Sequence, residues 1–335
     1  MTSPVLRVGT RGSALALAQS DQVAQAVIAA VGEGRVELVR IRTEGDINRG
    51  ALATIGGTGV FVTAVREALL SGRVDLVVHS FKDLPTTPAD GVTLSAVPAR
   101  GDPADALCAR DGLTLAGLPR AATVGTGSPR REAQILSLRS DLRVVAVRGN
   151  VGTRLAGVRQ GELDAVMLAA AGLRRLGLGG AITELFDPLR FLPAPAQGAL
   201  AVESRAGESP WFAAGLAELD DPAGRWAAIA ERAVLTGLEA GCSAPVSALG
   251  RFAEADRSVG RDAVPGQVHG SAPTQAPKEL PTLTVTAQVT AVDGSRCLRR
   301  EGVGTVTDDR SASAIGERIA LELLDAGAAT LVRVS

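Results

Sequence analysis

Apolar and polar positions follow two different spacings along the first part of the chain. Short apolar runs at 5–8, 36–42 and 74–78 predict strands, and amphipathic segments at about 14–31 and 60–70 predict helices. Residues 43–59 interrupt this pattern with a glycine-rich loop. Strands that alternate with helices at this spacing indicate a βαβ arrangement with a largely parallel sheet.

The same pattern starts again after a proline-marked segment at 98–103. Strands are predicted at 123–124, 144–147 and 165–168, each followed by a helix. A second proline-marked segment at 192–198 leads to a strand at 200–203, which we expect to return to the first lobe. Two crossings between two α/β lobes predict a hinged cleft, as in bilobal anion-binding proteins, with ligands at the carboxyl ends of the strands.

A third unit follows Pro222. A helix at 223–238, strands near 246–249, 283–290 and 296–302, and a helix at 311–325 indicate a small α+β domain. Residues 253–281 are rich in Gly, Pro, Ala and Asp without periodicity, so we expect a flexible insertion there. The predicted domains are therefore 1–98 with 199–219, then 103–193, then 222–335.

The composition of the 335 residues narrows the functional classes. A net charge of −1 and only 2% aromatic residues argue against a nucleic-acid partner. The basic residues are almost all arginine: of 35, only Lys82 and Lys278 are lysine, which leaves 35 − 2 = 33 arginines. A lysine inside a well-patterned segment therefore stands out.

Membrane-spanning, exported, disulfide-bonded and metal-binding proteins are disfavoured by features that the sequence lacks. It has no run of about eighteen apolar residues that would span a membrane and no export signal. Its three cysteines are far apart, which argues against a disulfide framework and fits a reducing cytoplasm. They have no metal-ligand spacing, and His79 and His269 are the only histidines, so we expect no metal.

The thiol of Cys242 is placed on a turn. The predicted helix ends at Gly241, and Pro245 prevents the small residues that follow from continuing it. An ordinary buried cysteine is the simpler interpretation of one such residue. The groups described next favour a functional thiol instead.

Three predicted strand-to-helix turns share one design. Ser13, Ser128 and Asn150 are each placed to cap a helix, and Pro129 occupies a favoured first helical position. Arginines accompany all three turns: Arg11, Arg130, Arg131, Arg148 and Arg154. A positive charge at a helix N-terminus is unfavourable because it opposes the helix dipole. A role in binding ligand carboxylates or phosphates therefore explains these forked side chains better than a purely structural role does. Solvated surface arginines remain the alternative, whereas a nucleotide loop would need a Gly-Lys-Ser/Thr sequence that is absent.

Lys82 and Asp83 follow directly after the predicted buried strand at 74–78 and its polar extension. An adjacent lysine and aspartate on a loop could be a surface ion pair of little consequence. In an arginine-rich cleft, Asp83 would instead be the carboxylate that pairs with a cationic or N–H-bearing substrate and transfers protons.

Taken together, the motifs resemble those of the porphobilinogen deaminase (hydroxymethylbilane synthase) family. They lie in order within 7–19, 78–85, 125–131, 148–154, 192–198 and 239–242. The resemblance runs from Val5 to about Val246 and, more loosely, through the C-terminal domain. It implies two periplasmic-binding-protein-like α/β lobes that form a cleft, plus a small α+β C-terminal domain that carries the cofactor cysteine.

The resemblance also implies an activity. The chain would be a transferase of tetrapyrrole (haem) biosynthesis that deaminates four porphobilinogen molecules, joins them head to tail and releases hydroxymethylbilane by hydrolysis. A dipyrromethane cofactor, attached by a thioether to Cys242, would act as the primer.

Site residues follow from the same resemblance, position by position. Asp83 would be catalytic, stabilising positive charge as ammonia leaves to give an azafulvene. The cofactor would contact Lys82, Asp83, Thr126, Ser128, Arg130 and Arg131 besides Cys242. The substrate would contact Arg11, Ser13, Gln19, Phe61, Arg148, Arg154, Arg175 and Gln197.

The sequence differs from the family pattern at two places, and two alternative functions were considered. Thr54 and Thr58 stand where the family often has lysines, and the 253–281 segment is an addition that we expect to be dispensable. A solute-binding protein would explain the cleft but not Cys242, and a cysteine hydrolase would need a histidine base.

We expect a cytoplasmic monomer with no membrane partner, whose product passes to the next enzyme of the pathway.

Overall fold

The computed structural model describes residues 3–41, 59–208, 210–240, 244–252 and 280–332, excluding the side chains of residues 59–61. Within these ranges the chain forms three sheets, each with its own helices. The predicted class, α/β with two lobes and a separate C-terminal α+β unit, is confirmed.

The first lobe is built on a five-stranded mixed sheet. Its elements are β1 (Val5–Thr10), α1 (Ala14–Val31), β2 (Arg35–Arg40), α2 (Gly59–Leu70), β3 (Leu76–Ser80), β4 (Val92–Ala96) and β10 (Leu200–Arg205). The strand order is β2-β1-β3-β10-β4, with β10 antiparallel to both neighbours. The sheet is thus less parallel than predicted, because β10 returns from the second lobe in the direction opposite to its neighbours. Strand β4 was not predicted.

The second lobe repeats this architecture between the two crossings. It contains β5 (Asp105–Ala109), β6 (Thr123–Thr126), α3 (Pro129–Leu138), β7 (Arg143–Ala146), α4 (Val151–Arg159), β8 (Ala165–Ala169), α5 (Ala170–Arg175) and β9 (Glu184–Leu185). The strand order is β7-β6-β8-β5-β9; β6, β7 and β8 are parallel and β5 is antiparallel to β8. Strands β5 and β9 were not predicted.

After α6 (Ala213–Leu219), the C-terminal unit packs two long helices on an antiparallel sheet. It consists of α7 (Pro222–Gly237), β11 (Val246–Phe252), β12 (Thr282–Thr290), β13 (Cys297–Thr305), α8 (Asp309–Asp325) and α9 (Ala329–Val332). Gly316 allows α8 to cross α7 closely, because a Cβ there would overlap the backbone of Ala230. The apolar faces of both helices and the sheet form one core.

Glu231 on α7 joins this unit to both crossings. Its carboxylate is fully buried, pairs with Arg100 in the first crossing and accepts the N–H of Ala196 in the second at 2.6 Å. It also accepts the N–H of Gly250 on β11 at 2.7 Å. One side chain therefore fixes the position of the crossings relative to the C-terminal unit. We propose the domain division predicted above, since each of its three ranges carries one sheet.

Helix α1 is long and apolar enough, by length and composition alone, to cross a membrane. Ser13 caps it by accepting the N–H of Ala16 at 3.2 Å, and Gly32 ends it with a left-handed backbone at φ 83°. Val23, Ala24 and Val27 are buried in the core of the first lobe. One face of the helix therefore belongs to the core of the first lobe, and the prediction that the sequence contains no stretch of this length and composition was wrong.

Candidate active site

Lys82 and Asp83 lie on a short 3-10 turn, Phe81–Asp83, directly after the carboxyl end of β3. Arg232 of α7 holds this turn: it donates to the carbonyls of Phe81 and Leu84 at 2.9 and 3.0 Å. Its guanidinium also lies 4.8 Å from the centre of the buried Phe81 ring. The turn is thereby fixed with Lys82 half-buried and Asp83 exposed.

Asp83 lines a cavity of about 280 Å³ at the carboxyl ends of β1 and β3. The same cavity is lined by Arg11, Ser13 and Gln19, from the end of β1 and the first turns of α1. Gln19 is buried and its amide donates to the Ser80 hydroxyl at 3.0 Å. The structure therefore brings four of the residues predicted for the site into one cavity.

His79 also lines this cavity and belongs to a polar network that the sequence did not reveal. Its Nε2 lies 3.2 Å from the Glu203 carboxylate of β10, and Arg66 of α2 binds that carboxylate with two nitrogens at 2.6 and 3.0 Å. Burial by itself raises the pKa of Glu203, but the contacts with His79 and Arg66 lower it to about 2. The only indication of this network in the sequence was the carboxylate of Glu203 at the end of the apolar run 200–203.

A cationic cluster lies between the lobes beside Asp83. Lys82 Nζ donates to the side-chain oxygen of Gln197 at 3.1 Å, and Arg131 lies 3.4 Å from the same oxygen. Arg130 and Arg131, both buried at the start of α3, share the carboxylate of Asp105, with one nitrogen of each 2.7 Å from it. Sequence patterns missed Asp105 because its strand was not predicted.

Burial and like charges set the ionisation of this cluster. Burial and the neighbouring arginines lower the pKa of Lys82 to about 8, although Asp83 and Asp105 act in the opposite direction. The pKa of Arg154 is lowered by burial and by Arg131. Burial raises the pKa of Asp105, but Arg130, Arg131 and a hydrogen bond from Gln197 lower it to about 2. Asp105 is therefore ionised at any working pH.

Two of the three predicted helix caps are confirmed. Ser13 caps α1, and Asn150 caps α4 by accepting the N–H of Thr153 at 2.9 Å. The predicted cap by the Ser128 side chain is wrong, because that side chain makes no cap hydrogen bond. The Thr126 hydroxyl instead accepts the N–H of Ser128 at 3.2 Å, which orders the turn before α3.

The remaining predicted residues have different surroundings. Arg148 is exposed before α4, and Arg154 donates to the Gly149 carbonyl at 2.9 Å. Arg175 donates to the Gly198 carbonyl in the second crossing at 2.8 Å. Outside the described residues lie Cys242, the Phe61 side chain, Thr54, Thr58 and nearly all of the 253–281 segment.

Two family models match the chain. Residues 6–211 match the porphobilinogen deaminase, dipyrromethane cofactor-binding domain, and residues 226–325 match the porphobilinogen deaminase C-terminal domain. The chain belongs to the porphobilinogen deaminase family. It is therefore an enzyme of tetrapyrrole biosynthesis, a transferase with a dipyrromethane cofactor, as the motifs indicated.

Related proteins agree with this membership over nearly the whole chain. The porphobilinogen deaminase of Thermobifida fusca is 47% identical over 99% of this chain and 97% of its own. That of Cutibacterium acnes is 48% identical over 97% of this chain and 96% of its own. A periplasmic arginine-binding protein of Salmonella typhimurium is a distant structural match, 15% identical over 66% of this chain and 96% of its own, with a TM-score of 0.34.

The residues in the cleft fit the polycarboxylate cofactor of the porphobilinogen deaminase family. The buried Nε of Arg130 has no hydrogen-bond partner within the described ranges. Among the described residues, two carboxylates, Asp83 and Asp105, face the four cations Lys82, Arg130, Arg131 and Arg154. A carboxylate ligand would supply an acceptor for this nitrogen and further negative charge beside the cluster. In the described part of the chain, no group of three or more His, Cys, Asp or Glu side chains could hold a metal.

The lowered pKa of Lys82 predicts a pH effect on the stability of the protein without cofactor. Between about pH 8 and the ordinary lysine value of 10.5, the unfolded chain binds more protons at this site than the folded one, so stability rises with pH. We expect the melting temperature of the wild type, relative to Lys82→Met, to increase from pH 7.5 to pH 10.

Few other groups interfere with this comparison in the same pH range, because the chain has no tyrosine and only one other lysine. Thermal denaturation of both unloaded proteins across this range, with Lys82→Arg as the variant that stays charged, measures the effect. A difference between wild type and Lys82→Met that stays constant with pH would contradict it.

Proposed function

We propose that this chain deaminates four porphobilinogen molecules and joins them head to tail on a dipyrromethane primer that is bound through a thioether to Cys242. Hydrolysis then releases hydroxymethylbilane. The observation that carries this proposal is the placement of Asp83 in a cavity with Arg11 on one side, next to the buried cations around Lys82 on the other.

The cavity supplies the groups that porphobilinogen requires. This substrate is a pyrrole with two carboxylates and an aminomethyl group. Arg11, Ser13 and Gln19 line the cavity, which supports their proposed role in binding the substrate. Arg148 and Arg154 are proposed to bind the incoming pyrrole as well, with Arg175 as a further contact. The proposed cofactor ligands, besides Cys242, are Lys82, Asp83, Thr126, Ser128, Arg130 and Arg131. Phe61 keeps the substrate role that the motifs predict. Gln197 does not, because it is buried and its amide is bonded to Lys82, Asp105 and the Pro103 carbonyl.

Asp83 is the proposed catalytic group. Its carboxylate accepts the pyrrole N–H of porphobilinogen and balances the positive charge that develops on the ring as ammonia leaves. Arg232 holds the backbone of the turn on which Asp83 lies, and this keeps the carboxylate at the cavity. When bound, the primer would supply the nucleophilic pyrrole carbon to which the first porphobilinogen unit is joined.

Loading of the primer begins at the thiol of Cys242. The sulfur forms a bond to the methylene carbon of porphobilinogen, the carbon–nitrogen bond breaks, and ammonia leaves with the thiol proton. Reaction with a second porphobilinogen releases another ammonia. We further propose a monomer in the cytoplasm, without nucleic-acid or membrane partners, whose product passes to the next enzyme of the pathway.

The intact mass of the protein tests this function. We expect the wild type to gain the mass of one dipyrromethane, either as purified or after addition of porphobilinogen, and Cys242→Ser to gain none. Cys297→Ser is the matched control, because Cys297 is an exposed thiol in the same domain. If the wild type stayed unmodified with porphobilinogen present, a non-catalytic binding protein would become the better interpretation.

A further inference from the structure

Asp105 occupies an unusual position in the cationic cluster. It is the first residue of β5, directly after the first crossing, and its side chain is completely buried. Each carboxylate oxygen binds a different arginine: Oδ2 lies 2.7 Å from Arg130, and Oδ1 lies 2.7 Å from Arg131. Two adjacent guanidinium groups repel each other, so this shared carboxylate allows both to be buried at one helix start.

The surrounding contacts fix the orientation of both arginines. Arg130 also donates to the Leu192 carbonyl at 2.6 Å, and Arg131 donates to the Met167 carbonyl at 3.0 Å. Each guanidinium is thus held by one carbonyl and by Asp105. The Nε of Arg130 has no hydrogen-bond partner in the described part of the chain and can donate to a ligand.

Asp105 also connects this pair to Lys82. Gln197 is buried and donates to Asp105 at 2.9 Å and to the Pro103 carbonyl at 2.8 Å, while its oxygen accepts from Lys82 at 3.1 Å. The amide cannot rotate without losing these bonds, since exchange of its oxygen and nitrogen would oppose donor to donor at Lys82. The carboxylate therefore orders all three of the proposed cofactor-binding cations.

We propose that Asp105 is a positioning residue for cofactor loading: it fixes Arg130, Arg131 and, through Gln197, Lys82 in the arrangement that receives the primer carboxylates. Asp105 itself is sealed behind these side chains and does not contact the primer. This inference rests on the proposed function, because it concerns the loading of the same cleft.

The test follows loading of unloaded protein by intact mass over time, at a series of porphobilinogen concentrations. We expect Asp105→Asn to raise the half-saturating concentration for loading at least about tenfold, the loss that follows when one charge-assisted hydrogen bond is misplaced. Its melting temperature falls as well, because buried arginines lose their counter-charge.

Asp75→Asn is the matched control. Asp75 is also a buried carboxylate with an arginine partner, since Arg7 binds it with two side-chain nitrogens at 2.6 and 3.1 Å. It precedes β3, however, whereas Lys82 and Asp83 follow the other end of that strand. We expect this variant to lose thermal stability and to keep the wild-type concentration dependence of loading.

A second variant covers the case in which Asp105→Asn folds poorly. Asp105→Ala leaves a space for a small carboxylate, so formate is expected to restore both folded yield and loading, while chloride at equal ionic strength does not. Loading of Asp105→Asn like that of the wild type, or equal effects of formate and chloride, would overturn the proposal. Failure of the wild type itself to load would instead overturn the proposed function.

Discussion

Asp83→Asn is expected to yield a folded protein whose turnover of porphobilinogen falls by at least about a hundredfold. The change preserves the shape of the side chain but removes the charge that faces the cavity. Because positive charge develops only as ammonia leaves, the loss should appear mainly in kcat and much less in KM. Steady-state formation of hydroxymethylbilane by loaded protein measures both.

Asp90→Asn is the control for this experiment, since Asp90 is an exposed carboxylate in the segment that follows the same turn. We expect it to retain wild-type kinetics. Thermal denaturation should show both variants to be folded, because Asp83 and Asp90 are exposed and do not pack in the core. Turnover of Asp83→Asn close to that of the wild type would remove Asp83 from the catalytic role.

Glu231→Gln is expected to lower the free energy of unfolding by about 3–5 kcal/mol, the usual cost of breaking a buried ion pair from one side. Glu231 is fully buried, and its two oxygens serve Arg100 and the N–H groups of Ala196 and Gly250. A glutamine places an amide donor against at least one of these donors. Thermal denaturation of the variant measures this loss.

Glu301→Gln is a suitable control, because Glu301 is an exposed glutamate in the same C-terminal unit with one hydroxyl partner, Thr286. We expect it to change stability by no more than about 0.5 kcal/mol. If Glu231→Gln had the same melting temperature as Glu301→Gln and the wild type, the two crossings would have to be held in place by other contacts.

The elements that sequence could predict are those with a strong local pattern. Helix α1 has an apolar stripe, a serine cap and a terminal glycine, and its predicted extent agrees with the structure. Lys82 and Asp83 were identified because an abrupt polar pair follows a buried strand. The second lobe was found because its glycine-rich turns resemble those of the first.

The parts that sequence could not predict depend on contacts between distant segments. Asp105 and Glu203 lie in short apolar strands, where an isolated carboxylate gives no local indication of its partner. Their arginines, Arg131 and Arg66, are 26 and 137 residues away in the chain. Ser128 shows the reverse case: a favourable capping residue is present, but Thr126 binds the local N–H.

The placement of β10 between β3 and β4 has a consequence for biosynthesis. Residues 200–205 are central to the first sheet, yet they are translated after the whole second lobe. A nascent chain that ends before β10 exposes the edges of β3 and β4, and Arg66 has not yet met Glu203. The second lobe has no such dependence on later strands for its sheet, so it can fold first on the ribosome, although the first lobe begins the chain.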